Sequence, residues 1–148
     1  MAITKILYRN GGLAQAIQYI TNPDKTDQCV LVDHFNCDPG FSYQQMMNTK
    51  RRFHKTDGRQ CYHIIQSFKP DEISPELAHE IAKRFAAEHL RGYEAVIGTH
   101  VDKGQSIRIS FSIRSMRIPA SNTTVRFKTI TNKSVGSQTG SAQKMVYL

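Results

Sequence analysis

A histidine, one residue, then an aspartate end an apolar run at His100 and Asp102. On an extended strand alternate side chains share a face, so the imidazole and the carboxylate point the same way. That is how a metal site begins, and a divalent cation needs several ligands in fixed geometry. The chain continues with Gln105, Ser106, Ile107, Arg108, Ile109 and Ser110, and no histidine follows His100. Without further ligands, His100 and Asp102 can equally be a hydrogen-bonded pair.

Three other groups of residues can do chemistry. Tyr19 stands near the end of AIQYITNPDKT. A half-buried aromatic with its hydroxyl in water is the ordinary reading of such a tyrosine. The functional reading is a nucleophile: a phenolate attacks a phosphodiester when a cation polarises the phosphate. His63 and Ser67 lie in HIIQSF at even spacing, on one strand face, where a core histidine and a strand-end serine are the commoner explanation. Basic residues gather in KTDQ, with Lys25, and in KRRFHKTDGR. They form either a solvated charged face or a rim that touches phosphates.

The elements that must carry these residues follow from pattern. Residues 2–8 alternate as a strand, and Gly11–Gly12 break it. Residues 13–20 form a short helix with Leu13, Ile17 and Ile20 on one face, and 22–26 a turn. Residues 29–35 are a strand, 42–54 a helix with Ser42 as N-cap, and 61–68 a strand. Ser74 caps the next helix, Pro75 takes its first position and Leu77 starts its periodic face; it runs to about Leu90 and stops at Gly92. Residues 93–101 are a buried strand. This order predicts an α+β fold, a central and mainly antiparallel sheet with packed helices, incomplete at its C-terminal side.

Bulk properties set bounds. The 148 residues suffice for one domain with a core. No signal peptide or membrane span is read, and the three cysteines, Cys29, Cys37 and Cys61, are read as reduced thiols of a cytosolic protein. The net charge is +8. Residues 1–102 carry twelve Lys/Arg and twelve Asp/Glu; residues 103–148 carry eight Lys/Arg and no acid. Ordinary globular sequence is about a quarter charged, with both signs present, so the composition breaks at Lys103–Gly104. Beyond the break, 105–118 alternate well enough for a substitute strand, and 119–148 are read as a disordered basic tail.

The order YITNPDKT, then HxxQSF, then GTHVDKG resembles the N-terminal nuclease domain of conjugative and mobilisation relaxases, the histidine-hydrophobic-histidine DNA-nicking enzymes of plasmids and integrative elements. The resemblance covers 1–104. It implies site-specific nicking of single-stranded DNA at a transfer origin, with Tyr19 as the nucleophile that stays linked to the 5′ end. It makes His100 the first of three histidine ligands to Mg²⁺ or Mn²⁺, and Asp102 a residue that orients a ligand or helps take the tyrosine proton. Ser67 and Lys25 would contact DNA. It also implies a bacterial cytoplasmic setting and accessory mobilisation proteins as partners. The chemistry is coherent, because neutral imidazoles hold a cation without cancelling its charge.

The family motif HxDxxxxHxH requires histidines at 107 and 109, where this chain has Ile107 and Ile109. The substitute strand is expected to put these apolar residues where the ligands belong. A frameshift accounts for the break. Gln105 onward can be encoded CAA TCC ATA CGC ATT TCA TTT TCA ATT, which two bases later reads Ile-His-Thr-His-Phe-Ile-Phe-Asn. If one base was lost at Gly104, putting it back restores HVDKG-x-IHTHFIFN, with both histidines in register. The expectation is a relaxase by ancestry with impaired nicking. Its rivals are a noncatalytic DNA-binding remnant that uses the basic tail, and a misfolded remnant.

Overall fold

The structure, a computed structural model, describes residues 3–9, 12–26, 31–58, 60–101, 107–115 and 144–147. The described residues form three helices that alternate with the first four strands, then two further strands: β1 (Ile3–Arg9), α1 (Leu13–Ile20), β2 (Val32–Phe35), α2 (Ser42–Arg52), β3 (Cys61–Phe68), α3 (Pro75–His89), β4 (Tyr93–Val101), β5 (Ile107–Ser115) and β6 (Lys144–Tyr147). The strands form one sheet in the order β2-β4-β5-β3-β1-β6. Every pairing is antiparallel except β1 with β6. The fold is the expected α+β arrangement of a mainly antiparallel sheet with packed helices.

The strand pattern explains the burial. β4 is mostly apolar, with Glu94, Thr99 and His100 as its polar residues, and is buried from Tyr93 to His100, as suits a strand covered on both faces. One face packs against α3, where Tyr62, Ile64, Ala95, Ile97, Ile107 and Ile109 meet Ala78, Ala82, Phe85 and Ala86. The opposite face packs against α1 and α2, where Cys61 and Val96 meet Leu13, Ala16, Ile20 and Met46. Small residues on α3 let the helix lie close, so apolar area is removed from water along its whole length.

Some helix details depart from the sequence reading. Ser74 caps α3 as predicted, its hydroxyl accepting from the Leu77 N–H at 3.3 Å. Leu77 itself does not begin the buried face; it is 55% exposed, and the buried stripe is Ala78, His79, Ala82, Phe85 and Ala86. Ser42 is the first helical residue of α2 rather than its cap. Phe41 holds the cap position, and the Ser42 hydroxyl donates back to the Asp38 carbonyl at 3.1 Å. The segment 105–118, read as a substitute strand, contains β5, inserted between β3 and β4. Of the 119–148 segment read as a disordered basic tail, the described part is β6, paired with β1. Among the described residues Cys37 and Cys61 are in no disulfide, and Cys29 lies outside the described residues. Among the described residues no helix is long and apolar enough to cross a membrane.

Candidate active site

The last turn of α1 and the end of β4 meet at one point on the sheet. Gly98 permits this. A Cβ there would stand 2.4 Å from the Ile20 carbonyl oxygen and 2.8 Å from Ile20 Cγ2, well inside van der Waals contact. With no side chain at 98, the end of α1 rests directly on β4. Two residues further on, on the same face, His100 is buried and its Nε2 lies 3.0 Å from the Ile20 carbonyl. A carbonyl only accepts, so Nε2 carries the proton, and in the neutral ring the lone pair belongs to Nδ1.

Tyr19 precedes Ile20 and is set by the same contact. Its ring is 5.2 Å from the His100 ring, edge to face, and 6.3 Å from the His63 ring. It remains 37% exposed, so the hydroxyl has a route to a substrate. The loop after α1 brings up a cation. Asn22 Oδ1 accepts from the Asp24 N–H at 3.0 Å, and the Asn22 carbonyl accepts from the N–H groups of Lys25 and Thr26 and from the Thr26 hydroxyl. This is the turn that Asn-Pro-Asp predicts. The Lys25 carbonyl then accepts from the Val101 N–H at 3.0 Å, which ties the loop to β4. So held, the Lys25 ammonium lies 5.2 Å from the centroid of the Tyr19 ring, within the range of a cation–π contact.

Of the residues expected to act, Tyr19, Lys25 and His100 converge. Ser67 shares their face of the sheet, but in a row across the strands: it pairs with Arg108, and Arg108 pairs with His100. Two strand spacings of about 4.8 Å separate Ser67 from His100 along that row. Asp102 lies outside the described residues. His63, read from sequence as a core histidine, is buried but sits beside Tyr19; its even spacing from Ser67 was the available signal. Gly98 was missed. A glycine inside an apolar strand marks close approach of another backbone, and that signal was present.

The expectation that isoleucines replace the missing ligands is corrected by the register. Paired residues share a face, and His100 pairs with Arg108, not with Ile107 or Ile109. Both isoleucines are buried in the α3 core on the reverse face. Arg108, not an isoleucine, is therefore the residue paired with His100, and its side chain leaves the strand on the same face. Among the described residues the imidazoles beside Tyr19 are those of His100 and His63, fewer donors than a divalent cation takes. Among the described residues, no group of three His, Cys, Asp or Glu side chains could hold a metal.

On the reverse face a second polar cluster is structural. His79 Nδ1 lies 2.9 Å from Thr99 Oγ1 and its Nε2 3.3 Å from Asp33 Oδ2, which also pairs with Lys83 at 3.3 Å. Burial holds the His79 pKa below its usual value, against the pull of Asp33. Thr99 is fully buried, so no substrate reaches it.

Comparison with known proteins gives a consistent result. Residues 19–106 match the relaxase family described as MobA/VirD2-like, nuclease domain. "Protein rlx" of Staphylococcus aureus is 32% identical over 68 residues, 46% of this chain and 22% of that protein. The "Group II intron-interrupted relaxase LtrB" of Lactococcus lactis subsp. cremoris (strain MG1363) is 32% identical over an alignment covering 62% of this chain and 21% of that protein. The chain thus spans about a fifth of the length of these relatives.

Proposed function

This chain belongs to the MobA/VirD2-like relaxase family, and from that premise we propose that it is the nuclease portion of a relaxase whose nicking step is impaired. Relaxases act on single-stranded DNA. The proposed reaction is transesterification at a transfer origin. The Tyr19 oxygen attacks the scissile phosphorus, the phosphorus–O3′ bond breaks, and the 3′ oxygen leaves with a proton. The 5′ phosphate stays on Tyr19, and the phosphotyrosine bond keeps the energy needed to rejoin the strand. One observation carries this reading: Tyr19, partly exposed, has both the buried His100 ring and the Lys25 ammonium against its own ring.

The roles divide by position. Lys25 supplies positive charge next to the incoming phosphate. His100, its tautomer set by the Ile20 carbonyl, orients the tyrosine edge. Ser67 contacts the DNA backbone further along the row, and Asp102 assists in accepting the tyrosine proton. The family is metal-dependent; a bound cation would supply polarisation of the phosphate, with His100 among the residues that would hold it. The absence of histidines at 107 and 109, and the pairing of Arg108 rather than a ligand residue with His100, support impairment. The composition break at Lys103–Gly104 supports a frameshift as its origin.

Purified protein incubated with a single-stranded origin oligonucleotide and Mg²⁺ or Mn²⁺ tests this directly. The expected result is DNA binding with at most a trace of covalent adduct, and none after Tyr19→Phe. A strong metal-dependent adduct abolished by Tyr19→Phe overturns the impairment and keeps the nuclease. A trace adduct that survives Tyr19→Phe overturns the assignment of the nucleophile. Codons at Gln105, Ser106 and Arg108 other than CAA, TCC and CGC types sink the frameshift.

A further inference from the structure

The outward face of α2 is not used by the Tyr19 site. From Pro39 to Thr56 the chain carries Lys50, Arg51, Arg52, His54 and Lys55 and no acid. Lys50 is buried, while Arg51, Arg52, His54 and Lys55 are exposed. Three aromatic side chains are exposed on or beside the helix: Phe41 at 63%, Tyr43 at 40% and Phe53 at 39%. Between them the outer surface is amide, with Gln44 and Asn48 exposed.

Helix electrostatics alone do not explain the set. Cations in the last turn favour the helix dipole, but so do acids in the first turn, and α2 has none there. The C-terminus also breaks local preference. The Lys55 N–H donates to the Lys50 carbonyl and the His54 N–H to the Arg51 carbonyl, the bonding of a Schellman motif. The left-handed residue of that motif is commonly glycine; here it is His54, at φ 52°. The contact between the flanking positions is commonly apolar; here those positions are Lys50 and Lys55. A sequence that departs from helix-ending chemistry twice within six residues, and presents a ring and cations instead, has the marks of a binding surface.

We propose that the outer face and C-terminal end of α2 bind single-stranded DNA, with Arg51, Arg52 and Lys55 on phosphates and Phe53 stacked on a base. The combination of cations and exposed rings without acids suits unpaired nucleic acid, because every base offers a π-face to a ring. The surface is separate from the nicking site. Thr49 donates to Glu94 Oε1 at 3.0 Å, which anchors the end of α2 at the start of β4. His100 is six residues along that strand, about 20 Å away. The two regions lie on the same sheet face, so one strand of DNA can run from Tyr19 to Phe53. The inference shares with the relaxase reading only the class of ligand.

Fluorescence anisotropy with a labelled thymidine oligonucleotide of about 20 nucleotides tests it, using the whole chain carrying Tyr19→Phe and no divalent metal, so nicking plays no part. The triple variant R51Q/R52Q/K55Q should weaken binding at least tenfold and reduce the slope of log K against log salt by about 2. Phe53→Ala should weaken binding about tenfold on the single strand and leave binding to a duplex of equal length unchanged. His54→Gly should raise the melting temperature while lowering affinity. An unchanged affinity and slope in the triple variant, with the parent still binding through its other basic residues, overturns the α2 surface and leaves the relaxase reading intact. Equal losses on duplex and single strand with Phe53→Ala overturn the stacking role, and no binding by the parent chain overturns the inference outright.

Discussion

Gly98 sets the geometry on which Tyr19 and His100 both depend. A methyl group there meets the Ile20 carbonyl at 2.4 Å and Ile20 Cγ2 at 2.8 Å. The first contact is backbone, which does not rotate away, so the end of α1 has to lift. Gly98→Ala should therefore lower stability by about 1–3 kcal/mol, the cost of overpacking, read as a lower urea midpoint at unchanged slope. It should also lengthen the bond from His100 Nε2 to Ile20. The His100 ring nitrogens, followed by NMR, should then show the tautomer no longer fixed. A variant with native stability and an unmoved His100 signal contradicts the tight seat. Loss of stability alone, with the tautomer intact, assigns Gly98 to packing only.

The register of β5 decides what stands opposite His100. Side chains alternate with period two, so a slip of one residue exchanges the faces of the whole strand. The alternation IRISFSIR was legible in sequence, as were the limits of β3, the Ser74 cap of α3 and the buried character of β4. The pairing of Arg108 with His100 was not, because counting residues along a motif says nothing of the partner strand. The apolar demand of the α3 face set it, drawing Ile107 and Ile109 inward. Leu77 was misread for a related reason: periodicity gives a face but not its phase, and alanines rather than leucine met the sheet. Two variants check the register. Arg108→His puts a second imidazole across from His100, and should bind Zn²⁺ or Ni²⁺, which suit imidazole, at least tenfold more tightly than the parent in a titration. Ile109→His buries an imidazole against Ala78 and Ala82, should cost about 2–5 kcal/mol as a core substitution, and should gain no metal affinity. The reverse pattern places Ile109 beside His100.

At the scale of the molecule, the sheet separates two tasks. The α1–α2 face holds the exposed tyrosine and the cations; the α3 face holds the larger apolar core and one buried histidine cluster. That cluster makes stability depend on pH. His79 has its pKa lowered by burial more than Asp33 raises it, with Lys83 lowering it further and Glu80 raising it. His34, on β2, is lowered by burial as well. A depressed folded pKa means that the unfolded chain binds protons first as pH falls. Their contribution is then complete above the ordinary histidine value of 6.5 and declines as pH drops through it toward the folded values. Urea midpoints should be level between about pH 7 and 8 and fall between about pH 6.5 and 5. Carboxylates protonate at lower pH and add to the loss only near the end of that range. The double variant H34Q/H79Q should flatten the slope between pH 6.5 and 5.5 even though its absolute stability is lower. A parent whose midpoint rises as pH falls through 6.5 would show that Asp33, and not burial, controls His79.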